Sequence, residues 1–196
     1  MMIMKNKIAF IIPGFTEDSK EKKYQDIARM FQKRGIKPII VGIDWKRKVM
    51  SDYVAQFLKE AEKCDAKEIY ILGFSFGAVI SFISSQKINP KTQILCSLSP
   101  YFKEDLPHIR ARWKNFMGKK RIADFECNFS AKKIAKSTKC KTYLLAGTEE
   151  GIEVERRFKA TGKEIKNCES IKVHGSKHDI SNPEYLNEIS KIIKTL

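Results

Sequence analysis

Short apolar runs alternate along this chain with longer stretches that carry one apolar stripe. The runs at 7–12, 38–43, 68–72, 93–98, 142–146 and 170–173 have the length and the aliphatic content of buried strands. Between the first two, Tyr24, Ile27, Ala28 and Phe31 repeat at helical spacing, and Gly35 ends the stretch. Val54, Phe57, Leu58 and Ala61 repeat the pattern ahead of the third run. A third helix is expected from about residue 76 to Lys87, closed by Asn89-Pro90. A weaker one is expected over 151–160. The last opens at Asn182-Pro183, a cap residue followed by proline, and turns Leu186, Ile189, Ile193 and Leu196 inward.

This alternation predicts an α/β fold, a parallel sheet of about six strands with helices on both faces. No linker, repeat or low-complexity segment interrupts it. The irregular part is 101–137, between the fourth and fifth strands. That segment is too long for an ordinary connection and is expected to hold a helix or two, with Ile109, Trp113, Phe116 and Met117 as its apolar side. A small cap within a single domain spanning 1–196 is the expected organisation.

Length and composition refine the picture without changing it. A chain of 196 residues buries a core without staples. Cys64, Cys96, Cys127, Cys140 and Cys168 are scattered and odd in number, with no Cys-x-x-Cys pair, so neither a disulfide framework nor a zinc site is indicated. Reduced thiols fit a cytoplasmic protein. The apolar part of Met1–Phe15 is short, lacks a small-residue cleavage site and ends at Pro13-Gly14, as a first core strand would rather than a signal peptide. No run reaches the roughly 20 residues that a membrane span needs.

The net charge of +15 raises nucleic acid, an anionic membrane or an acidic substrate as partners. The cations are mostly lysine, 30 against 8 arginines, and they spread over the predicted helix faces, which makes nucleic acid a poor expectation. The exception is 103–141, with twelve Lys or Arg against four Asp or Glu.

Candidate chemistry gathers where strands end, because ligands of such sheets bind beyond the carboxyl ends of the strands. The third run leads into Gly73-Phe74-Ser75-Phe76-Gly77. Its glycines stand where side chains would obstruct a sharp strand-to-helix turn that lifts a serine hydroxyl to the sheet's end. Gly147-Thr148-Glu149-Glu150 follows the fifth run, and His174-Gly175-Ser176-Lys177-His178-Asp179 the sixth. A nucleophile, a carboxylate and a histidine therefore appear in that order. A serine needs a base to take its proton, and the base needs a carboxylate to fix its tautomer.

On these three segments the chain resembles the α/β-hydrolase family over nearly its whole length, as a small member without the antiparallel strands that often precede the first parallel one. The resemblance implies Ser75 as nucleophile, His178 as base, and an oxyanion hole formed by the backbone N–H groups of Phe76 and Phe15. It implies an acid three residues after the strand's glycine, which is Glu150 here. Glu149 is a near rival, and members that take the acid from the loop after the preceding strand nominate Glu104 or Asp105. The chain departs from the family in having Pro13-Gly14 where His-Gly is common, and Glu where Asp is usual.

Phe74 and Phe76 beside the serine, with Trp113, Phe116 and Met117 above it, suggest an apolar acyl pocket. Trp45, beside Asp44 at the end of the second run, is a candidate for its wall and equally for packing. His174 and His108 fit no catalytic role, Asp179 is better suited to capping than to orienting its neighbour His178, and no metal or other cofactor is indicated. The implied activity is that of a serine hydrolase acting on a small-molecule ester, thioester or related acyl bond. The alternative is a non-catalytic binding protein on the same scaffold, since fold alone does not fix activity.

Overall fold

The computed structural model describes residues 6–196; Met1–Lys5, the start of the stretch read above against a signal peptide, lie outside the described residues. The chain runs β1 (Lys7–Ile12), α1 (Lys22–Gln32), β2 (Lys37–Ile40), α2 (Met50–Ala61), β3 (Glu68–Phe74), α3 (Phe76–Ile88) and β4 (Thr92–Cys96). A 3₁₀ turn (Leu106–His108) follows, then α4 (Ala111–Met117), α5 (Lys119–Asn128), α6 (Ala131–Ser137), β5 (Lys141–Gly147), α7 (Ile152–Glu164), β6 (Cys168–Val173) and α8 (Pro183–Lys194). The six strands form one sheet in the order β2-β1-β3-β4-β5-β6, and every pair is parallel.

Alternation along the strands divides the core into two. Ile8, Phe10, Ile12, Ile71, Leu95, Leu144 and Ala146 face α2, α3, α6 and α7. Ala9, Ile11, Leu72, Ile94, Cys96 and Leu145 face α1 and α8. The sheet is thus buried on both sides, which is why its strands read as continuous apolar runs. An 11-residue helix such as α1 is marginal by itself in water. Burial of Tyr24, Ile27, Ala28 and Phe31 holds it in place, each large side chain contributing about 1.5–3 kcal/mol.

Two strands end earlier than their apolar runs. β2 stops at Ile40, although the Val41 N–H still reaches the Ile11 carbonyl at 2.8 Å. β4 stops at Cys96 because Ser97 turns the chain with φ at 51°. The insertion holds three α-helices and a 3₁₀ turn, more than the helix or two expected. Gly118, at φ 76°, separates α4 from α5, and the Ser130 hydroxyl caps α6 by accepting from the Lys133 N–H at 3.2 Å.

This insertion is fastened to the body near its start and at its middle. Arg157 of α7 grips the buried Asp105 carboxylate at 2.5 and 3.0 Å, and its guanidinium lies 5.4 Å over the Phe102 ring. From α5, Asp124 accepts from the Ser51 N–H at 2.9 Å and hydroxyl at 2.6 Å, while Arg121 donates to the Lys48 carbonyl at 3.0 Å. All five cysteines are free thiols. Among the described residues, no helix is long and apolar enough to cross a membrane.

Candidate active site

Ser75 sits on the turn from β3 to α3 with φ 56° and ψ −115°. A non-glycine residue held there stores strain of about 1–3 kcal/mol, so its surroundings must enforce it. They do so by close approach. A Cβ on Gly77 would fall on the Ile12 carbonyl oxygen, and one on Gly73 would fall on the Gly77 carbonyl and the Ser81 hydroxyl. The first turn of α3 therefore lies directly against the end of β1, and the Ser75 N–H is tied to the Cys96 carbonyl at 2.9 Å.

Two loops bring partners to this serine. His178, after β6, places Nε2 2.9 Å from Ser75 Oγ, and its ring packs 5.0 Å from that of Phe74. Its Nδ1 is 2.6 Å from Glu150 Oε2, in the loop after β5. A carboxylate accepts only, so Nδ1 carries the proton and Nε2 is left to accept from the serine hydroxyl. The Glu150 side chain is only 1% exposed and the His178 side chain 43%. The other Glu150 oxygen accepts from the Gly147 N–H and the Ser97 hydroxyl, each at 2.7 Å.

The contacts continue inward. Ser97 Oγ is 2.9 Å from the hydroxyl of Tyr185 in α8, which donates to the Leu145 carbonyl at 3.1 Å. Tyr185 is wholly buried, and burial pushes its phenol well above the ordinary value, with Cys96 and Glu150 adding to the effect. A second hydroxyl, that of buried Ser99, stands 3.1 Å from Ser75 Oγ.

The turn after β1 is built without a histidine. The Gly14 N–H donates to Glu17 Oε2 at 2.8 Å and to the Tyr24 hydroxyl at 3.0 Å, and Tyr24 itself donates to Glu17. Lys23 pairs with the other Glu17 oxygen at 2.6 Å, and the Glu17 N–H closes the turn on the Gly14 carbonyl at 3.1 Å. Burial, then the Glu17 hydrogen bond, pushes the Tyr24 phenol far up, so it stays a donor. The N–H groups of Phe15 and Phe76 have no hydrogen-bond acceptor among the described residues. Both residues line the same cleft as Ser75.

That cleft has a volume of about 380 Å³. Its walls include Phe74, Tyr101, Ile109, Trp113, Phe116 and Val154 besides Phe15 and Phe76. Trp113 and Phe116 come from α4, so this part of the insertion lies over the serine. Trp45 lies behind the wall rather than in it, 5.2 Å from the Phe15 ring and 4.7 Å from that of Tyr53. The insertion's cations are nearly absent from the cleft. Only Arg110 lines it, and Glu153 holds both arms of its guanidinium, at 2.5 and 2.8 Å.

None of the rival acids is hydrogen-bonded to His178 among the described residues. Glu149 is exposed and its N–H meets the Ser176 carbonyl at 3.0 Å. Glu104 accepts from Ser130 and from the Ala131 N–H at the start of α6. Asp105 belongs to the Arg157 pair. Asp179 binds the Ser181 N–H and hydroxyl at 2.8 and 2.7 Å, while the cap of α8 is Asn182, whose side chain accepts from the Glu184 N–H at 2.9 Å. His108 and His174 are exposed and outside the cleft. Ser97, Ser99, Tyr185 and Glu17 were not singled out from the sequence, and Tyr24 only as a buried position of the first helix. Only the serines of Ser97-Leu98-Ser99, at the end of an apolar run, offered a cue. Among the described residues, no group of three or more His, Cys, Asp or Glu side chains is arranged to hold a metal ion.

No family model matches this chain, and no curated protein matches it in sequence. Solved structures match in shape. Est1E from Butyrivibrio proteoclasticus is similar with a TM-score of 0.81 at 16% identity, covering 98% of this chain and 87% of its own. Alpha/beta hydrolase domain-containing protein 10 from mouse gives 0.80 at 11% identity, over 96% of this chain and 88% of its own. The thioesterase domain from the curacin biosynthetic pathway gives 0.71 at 10% identity, over 98% and 91%. The chain has the α/β-hydrolase fold.

Proposed function

We propose that this protein is a serine hydrolase that cleaves a carboxylic ester, thioester or related acyl bond through an acyl-enzyme. The observation that carries the reading is the unbroken contact from Ser75 Oγ through His178 to the buried Glu150 carboxylate, 2.9 and 2.6 Å. Ser75 Oγ attacks the carbonyl carbon as its proton passes to His178 Nε2. Glu150 holds the Nδ1 proton and stabilises the imidazolium. The N–H groups of Phe76 and Phe15 receive the oxyanion. His178 then returns its proton to the leaving group. Water, deprotonated by the same nitrogen, releases the acid and restores Ser75.

The lining supports an uncharged, apolar acyl group. Every charged side chain on the cleft has a partner within the protein: Glu17 with Lys23, Glu150 with His178, and Arg110 with Glu153. The remaining wall is aromatic and aliphatic. An acyl carboxylate would lose water without gaining a free cation, which burial makes costly. The test is a series of p-nitrophenyl esters with neutral acyl chains against one whose acyl chain ends in a carboxylate. The neutral esters should be hydrolysed with at least about tenfold higher kcat/KM. Equal or better hydrolysis of the charged ester would overturn the acyl assignment, and no hydrolysis of any member would count against the enzyme.

A further inference from the structure

The described residues leave three large apolar side chains exposed, two of them on one cleft and the third between two residues that line it. Trp113 is 38% exposed, Phe116 61% and Ile152 58%. Trp113 and Phe116 line the mouth of the cleft, their rings edge to face at 6.2 Å, and Phe116 stands 6.1 Å from Phe15 inside it. Ile152 lies between Gly151 and Glu153, both lining residues. Scattered exposed apolar residues need no explanation, but a cluster at one rim marks an interaction site.

Positive charge flanks the Trp113 and Phe116 side of the cluster, while Ile152 follows Glu149 and Glu150 and precedes Glu153. Residues 106–123 carry six Lys or Arg and no Asp or Glu. Arg112, Lys119 and Lys120 are exposed and make no salt bridge among the described residues, and the Arg112 guanidinium lies 5.3 Å over the Trp113 ring. Aromatic tips flanked by cations match the boundary of a bilayer with anionic headgroups, where rings enter the acyl edge and cations meet phosphate. Stacking on bases would account for the two rings but leaves Ile152 without a partner. The position at the cleft mouth also favours lipid, because an apolar acyl group must cross this rim to reach Ser75; that last point rests on the function proposed above.

We propose that the rim of Trp113, Phe116 and Ile152, with Arg112, Lys119 and Lys120 flanking its aromatic side, docks on a lipid surface carrying anionic headgroups. The full chain would be sedimented with vesicles of phosphatidylcholine, alone or mixed with phosphatidylglycerol. Binding to the mixed vesicles should be at least about tenfold tighter and should weaken with salt. The Phe116→Ser/Ile152→Asn variant should lose binding to both. The Arg112→Gln/Lys119→Gln/Lys120→Gln variant should lose the preference for phosphatidylglycerol while keeping its thermal midpoint and its hydrolysis of a short water-soluble ester. Ser75→Ala should bind vesicles as the unaltered chain does, so a failed hydrolase reading leaves this result standing. The proposal falls if the unaltered chain does not bind the mixed vesicles, if neither rim variant changes binding, or if duplex DNA is bound as tightly as the vesicles.

Discussion

Ser97 Oγ stands 2.7 Å from Glu150 Oε1, on the carboxylate oxygen that does not face His178. With the Gly147 N–H it fixes the acid from behind, so that Oε2 points at Nδ1. Removing that hydroxyl should misalign the acid without touching the cleft. A hydrogen bond to a charged group is worth about 1.5–3 kcal/mol, and 1.4 kcal/mol is about tenfold in rate. Ser97→Ala is therefore expected to lower kcat about tenfold and leave KM nearly unchanged, and Glu150→Gln to lower it further. Steady-state kinetics on one neutral ester checks both.

The turn that carries Phe15 is held by Tyr24 and Glu17 at the Gly14 N–H. Tyr24→Phe removes the hydroxyl and keeps the ring in the core. It should reduce kcat up to about tenfold with little change in KM, as expected for a donor that acts on the developing oxyanion. A change in KM alone would place the brace in substrate binding.

Gly77→Ala sets a methyl group against the Ile12 carbonyl oxygen, where backbone rather than a mobile side chain must give way. Overpacking of this kind should cost at least about 3 kcal/mol, at the upper end of its usual range. Gly42→Ala is the control, because a Cβ there meets nothing within 4 Å. Chemical denaturation of the two variants side by side measures the difference.

Glu153 is buried, which pushes its carboxyl up, but the Arg110 hydrogen bond, a backbone hydrogen bond and the charges of Arg110 and Arg112 together more than reverse this and hold it below the ordinary glutamate value of 4.5. A carboxyl depressed in the folded state stabilises folding above its unfolded value and loses that contribution as pH falls through the folded one. Arg110→Gln removes the cation hydrogen-bonded to the carboxylate, at a cost of about 1–3 kcal/mol near neutral pH. The deficit should shrink as pH falls below 4.5 and the carboxyl takes a proton. Urea unfolding across that range is the measurement.

The sheet was legible because a parallel sheet covered on both faces leaves uninterrupted apolar runs, and each of the six runs became a strand. Ser75, Glu150 and His178 were legible by their places after β3, β5 and β6, where the fold converges. What was hidden depends on contacts that no local pattern encodes. The Ser97–Tyr185 contact joins positions 88 residues apart. Glu17 reads as one more surface acid until the turn folds back on the Gly14 N–H. Trp45 has the composition of a pocket wall, yet the Phe15 ring stands in front of it. The insertion's positive charge lies mostly outside the cleft, where its one lining cation, Arg110, is held by Glu153.

The central claim is that Ser75 is an activated nucleophile. Incubation with a fluorophosphonate probe at a pH where histidine is neutral, followed by mass spectrometry of the peptide containing Ser75, tests it directly. The account predicts a covalent adduct on Ser75 Oγ, absent in Ser75→Ala and slowed strongly in His178→Ala. A folded, unaltered protein that stays unlabelled by a broad panel of such probes, or a label carried on another residue, would contradict it.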